Sequence, residues 1–168
     1  MRHKLHLLLV AMLACGALSA QQTQPLQLPV LVDGSKTPDK IPDDLAYHHF
    51  FLALAVPASP SAEDQARQLA FLAPVKLSPA DQENLIGLLA TFRTDLDPIE
   101  QARAKLLAAA PGAGSAAALA DLNTRENDLV TSTLAMVRAS LTPDGVSRLD
   151  KYIKTHVKKR IVIYGTSR

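Results

Sequence analysis

The residues best suited to chemistry are three histidines, His48, His49 and His156, which remain once the N-terminal segment with His3 and His6 is set aside. His48 and His49 are adjacent, so on a helix their side chains diverge by about 100° and cannot share a metal without distortion. Metal ligands on one helix need a spacing of three or four, and only His156 and distant carboxylates could complete a set. The spacing therefore predicts one histidine at the core edge and the other in solvent. Asp95-x-Asp97 with Glu100 has no calcium-binding loop around it and reads as a solvated helix face beside Pro98. Gly112-Ala113-Gly114-Ser115 lacks the lysine of a phosphate-binding loop and follows a helix rather than a strand, so it reads as a helix–helix connection. No serine occupies a Gly-x-Ser-x-Gly elbow. No catalytic, cofactor-binding or metal-ligating residue is assigned on these grounds.

The N-terminus runs from a basic start, Arg2-His3-Lys4, through an apolar stretch, Leu5 to Ala14, to the small residues Cys15, Gly16, Ala17, Ser19 and Ala20. That order is the secretory signal pattern, and the apolar run is too short for a membrane-spanning helix of about 20 residues. Cleavage after Ser19 or Ala20 would release a soluble periplasmic or secreted protein. Met12-Leu13-Ala14-Cys15 also resembles a lipobox, although Met12 stands where Leu is usual and Leu13 where a small residue is usual. Soluble release is the favoured reading, with lipid anchoring at Cys15 the alternative. Cys15 is the only cysteine, so on the soluble route no disulfide or cysteine-ligated metal supports the fold.

Loss of Arg2 and Lys4 leaves basic and acidic residues equal in number, which argues against nucleic acid as a partner. The charge is nevertheless uneven. Arg148, Lys151, Lys154, Lys158, Lys159, Arg160 and Arg168 face one acid, Asp150, at the C-terminal end. This cluster reads as a helix terminus with dipole-matched charge and a tail packed on the body. Its alternative use is contact with an anionic membrane or an acidic partner.

Alanine and leucine dominate, strand-favouring residues are scarce until the last positions, and the composition points to an all-α domain of four to five helices. Residues 1–20 form the signal segment, 21–41 an extended linker, 42–164 one helical domain and 165–168 a tail. The first helix is expected from Asp44 to Val56; being apolar on most faces, it is central to the fold or part of an interface. Ser61, Ser78-Pro79 and Thr142-Pro143 open later helices. Leu85, Leu88, Leu89, Phe92, Leu96, Ile99 and Leu106 recur at intervals of mostly three and four and stay in phase across Pro98, which favours one long kinked helix over a fresh start at Asp97. After the Ala110–Ser115 turn, a helix from Ser115 to Ser140 with Leu119, Leu122, Leu129, Met136 and Val137 on one side is expected to pack antiparallel on it; Leu122, Leu129 and Met136 stand at intervals of seven. Ile161-Val162-Ile163-Tyr164 is more extended than helical.

Two of these helix starts share nearly one phrase, Leu77-Ser78-Pro79-Ala80-Asp81-Gln82 and Leu141-Thr142-Pro143-Asp144-Gly145. It resembles the paired Leu-Thr-x-x-Gln motifs of the small periplasmic Spy/CpxP-like proteins, with Gln82 one place late and Gly145 in place of the second glutamine. The resemblance implies an all-helical exported stress protein that chaperones unfolded clients or reports envelope damage. The layout is also similar to that of many exported helical proteins of environmental bacteria. The expected function is thus non-enzymatic, protein-binding or chaperone-like, in the bacterial envelope. The alternatives are an accessory subunit whose first helix packs on an envelope partner, and an enzyme or metal binder using His48, His49 or His156.

Overall fold

The computed structural model describes residues 30–57, 59–109 and 115–165. Among them are five α-helices and one two-stranded sheet: β1 (Val30–Asp33), α1 (Asp43–Leu54), α2 (Ala62–Leu72), α3 (Pro79–Ala108), α4 (Ser115–Ser140), α5 (Pro143–Tyr152) and β2 (Val162–Tyr164). The fold is all-α, as composition and periodicity indicate. The signal segment, Cys15 and the Gly112–Gly114 turn lie outside the described residues.

Helix starts follow local chemistry. Ser61 and Asp64 form a reciprocal capping box at α2. Ser78 and Thr142 cap α3 and α5 by accepting from Asp81 N–H and Gly145 N–H, each at 3.1 Å, and a proline follows each cap. Helix α3 passes through Pro98 as a single element, with Leu85, Leu89, Phe92, Leu96 and Ile99 buried on either side of the proline. Helices α3 and α4 run antiparallel: Arg103 meets Asn123, while Asn84 at the other end donates to the Ser140 carbonyl (3.2 Å).

The seam of α4 differs from the heptad expectation. Its buried residues are Leu122, Glu126, Val130, Thr133 and Val137, whereas Met136 is 42% exposed. An α-helix drifts relative to a strict seven-residue repeat. The buried stripe therefore leaves Met136 and takes in two polar residues.

Helix α1 is the centre of the core. Ala46, Tyr47, Phe50, Phe51 and Leu54 are buried, with Phe51 against Phe92 of α3 (ring centroids 5.6 Å) and Phe50 edge-on to Tyr152 of α5 (6.1 Å). Its apolarity on most faces is used within the chain. Leu52 and Ala53 stay exposed on the outer side of the helix.

Residues 30–41, read as part of a linker, are tied to the body. β1 pairs antiparallel with β2 (Val30↔Tyr164, Val32↔Ile163, Asp33↔Val162), and Leu31 is the extra residue of a bulge. Gly34 N–H donates to the Ile161 carbonyl (2.9 Å) and Ile41 is buried. A Cβ on Gly34 would sit 1.9 Å from the Lys158 carbonyl oxygen, so only glycine allows this approach. No period longer than a few residues marks β1, and it becomes a strand because the apolar run 161–164 offers it a partner.

Candidate functional site

The three histidines have separate fates. His48, on α1, donates through Nε2 to Glu126 of α4 (2.7 Å), whose other oxygen receives Arg103 of α3. Burial opposes ionisation of Glu126, but the hydrogen bonds from Arg103 and His48 outweigh it and hold the carboxyl below its ordinary range. This three-residue link joins α1, α3 and α4, and the cavity beside His48 is small, about 80 Å³. A second link joins α1, α4 and α5. There the Tyr47 hydroxyl donates to Asp150, and Arg138 lies 5.8 Å over the Tyr47 ring. Burial first, then the Asp150 bond, push the Tyr47 hydroxyl well above the usual tyrosine range.

The acids near Pro98 are also engaged: Arg93 pairs with Asp97 and with Glu100 (2.6 Å). Among the described residues no group of three or more His, Cys, Asp or Glu side chains is placed to hold a metal.

His49 and His156, 107 positions apart in the chain, come to one place. Both line a groove of about 530 Å³. Its walls are Phe50 and Ala53 of α1, Phe71 of α2, Tyr152 of α5, and Val157, Arg160, Ile161, Val162 and Tyr164 from the C-terminal segment. Burial, then the neighbouring His48, lower the pKa of His49, so its imidazole is neutral near pH 7.

The C-terminal wall exists because α5 does not continue regularly. After Tyr152 the chain makes a π-helical turn, Ile153–Val157, then a short tight turn, Lys158–Arg160, before β2. Such π turns occur frequently at functional sites. This one puts the His156 ring face to face with Tyr152, at 4.7 Å and 13°. The Thr155 hydroxyl has one proton and donates it to the Lys151 carbonyl (2.7 Å). Its oxygen therefore accepts from His156 Nδ1–H (2.8 Å).

The Tyr152–His156 stack is a ridge with a second groove on its other side, about 400 Å³, lined by Pro74, Val75, Lys76, Asp144, Ser147, Arg148, Lys151 and Thr155. Lys76 adopts a left-handed backbone (φ 59°), alone among the described non-glycine residues. Its carbonyl accepts from Arg148 (3.1 Å), which also pairs with Asp144 (2.7 Å).

A joint between α3 and α5 is built at their N-terminal ends. Asp81, buried, accepts from the Thr142 amide and hydroxyl and from the Ser78 hydroxyl, each at 2.8 Å. The two similar phrases are thus fastened to each other. The hydrogen bonds from Thr142, then the one from Ser78, hold the Asp81 carboxyl low against the opposing effect of burial. Sequence reasoning identified both caps but not Asp81. The available signal was the register of the two phrases, in which Asp81 and Gly145 occupy the same place, one large and charged, the other without a side chain. No protein-family model, curated protein or solved structure matches this chain.

Proposed function

We propose that this chain is a non-enzymatic, exported protein-binding domain with chaperone-like action, holding apolar segments of unfolded polypeptides in the groove between α1 and the C-terminal segment. The observation that carries this reading is the character of that groove. Ala53, Phe71, Val162 and Tyr164 supply apolar surface over a floor of the buried Phe50 and Ile161, with His49, His156 and Arg160 among them. Its volume of about 530 Å³ lies in the range of ligand pockets, about 300–1,000 Å³. Leu31, 65% exposed on the adjoining sheet, adds a further exposed apolar side chain.

The test is light scattering of a heat-unfolding client enzyme together with anisotropy of a labelled apolar peptide. Suppression of scattering and saturable peptide binding are expected. Both should be lost in Ala53→Glu, which places a charge in the groove from an exposed position while leaving the melting temperature unchanged. Absence of suppression and of peptide binding in the unaltered protein overturns the reading. The signal pattern supports export, and intact mass of the protein recovered from its host separates cleavage near Ala20 from retention of a lipidated Cys15.

A further inference from the structure

We infer that the polypeptide segment held in the groove carries acidic residues beside its apolar ones, and that their carboxylates lie in the second groove, across the Tyr152–His156 ridge. This rests on the protein-binding reading above and specifies the chemistry of the client.

The argument begins with which cations the fold neutralises. Of the basic residues near the C-terminus, Lys154 pairs with Asp39 (3.1 Å), Lys158 with Asp43 (2.5 Å) and Arg148 with Asp144. Lys76, Lys151 and Arg160 have no carboxylate within pairing distance among the described residues, and all three line the two grooves. Among the described residues the only acid lining either groove is Asp144, already bound to Arg148. The two groove linings, a track divided by the Tyr152–His156 ridge they share, hold Lys76, Arg148, Lys151 and Arg160 against the single carboxylate of Asp144, while Lys40, Lys105, Arg125 and Lys159 are also unpaired among the described residues and lie outside it. One half of that track is apolar with Arg160, and the other is polar with Lys76 and Lys151. A ligand that matches both halves is anionic at one part and apolar at the next.

Two locally unfavourable backbone features border the same track. Lys76 holds its left-handed conformation in the lining of the polar groove. The π turn carries the ridge that both grooves share. Conformations of this kind persist where the surroundings over-determine them, and they gather at binding sites. Lys76 and His156 both belong to the lining of the polar groove.

The test uses the full chain and two labelled peptides with the same apolar core, one flanked by serines and one by glutamates, read by fluorescence anisotropy. The glutamate peptide should bind about tenfold tighter at low ionic strength and lose that advantage in high salt. Lys76→Asn combined with Lys151→Gln should abolish the advantage and leave the serine peptide unaffected; asparagine tolerates the left-handed backbone. Lys159→Gln, an exposed lysine that lines neither groove, should leave the advantage intact.

Equal binding of the two peptides overturns the acidic-client inference and leaves the protein-binding reading standing. An advantage that survives the double substitution, or that falls equally in Lys159→Gln, also overturns it, because the attraction then comes from elsewhere or from diffuse charge. Failure of both peptides to bind removes the underlying reading itself.

Discussion

The Asp81 carboxylate accepts three hydrogen bonds from Ser78 and Thr142, and a Cβ on Gly145 would lie 2.6 Å from its Oδ2. The carboxylate is pinned and cannot retreat. Gly145→Ala should therefore break the joint and cost about 1–3 kcal/mol in urea denaturation, as overpacking does elsewhere. Thr133 presents the opposite case. Its hydroxyl is buried without a hydrogen-bond partner among the described residues, on the buried stripe of α4. Thr133→Val keeps the shape and removes the unpaired group, so a gain of about 1 kcal/mol is expected from the same measurement. At this scale the caps were legible, because a serine or threonine followed by proline acts within one helical turn. The partner of Asp81 was not, since it lies 61 positions along the chain.

Among the elements, the pairing of β1 with β2 closes the C-terminal segment over the groove, and Gly34 is its tightest point. Gly34→Ala would drive a methyl into the Lys158 and Ile161 carbonyl oxygens, 1.9 and 2.7 Å from the new Cβ. Separation of the sheet should appear as faster amide exchange at 30–34 and 161–164, with protection in α3 and α4 unchanged. Peptide binding should weaken in the same variant, since Val162 and Tyr164 line the groove. Continuity of α3 through Pro98 was readable from the phase of its apolar stripe. The burial of Glu126 was not, because charge alone places a residue in solvent until Arg103 and His48 arrive from two other helices to meet it.

The whole molecule is expected to be most stable between neutral and mildly alkaline pH. Asp33, Asp64, Asp81 and Glu126 are all held below their ordinary values of 3.8 and 4.5, so their contributions are complete above that range and vanish as pH falls through the folded values. His49 is held below 6.5, so the stability tied to its neutral form is full above that pH and declines below it. Tyr47 sets the alkaline limit: its raised pKa contributes fully below pH 10.0 and is lost above it. The urea midpoint should be flat from about pH 7 to 9, dip below 6.5 and fall steeply below 4.5, with a shallower acid slope in Glu126→Gln. Helical class, helix starts, the continuous α3 and the extended end were determined by the sequence alone, because capping, propensity and apolar phase act over a few neighbouring residues. Only the tertiary structure decided that residues 30–33 form a strand, which charges neutralise one another, and that His49 and His156 share a groove while His48 is bound to Glu126. Those outcomes depend on which distant side chains packing brings within a few ångströms, and no local pattern carries that information.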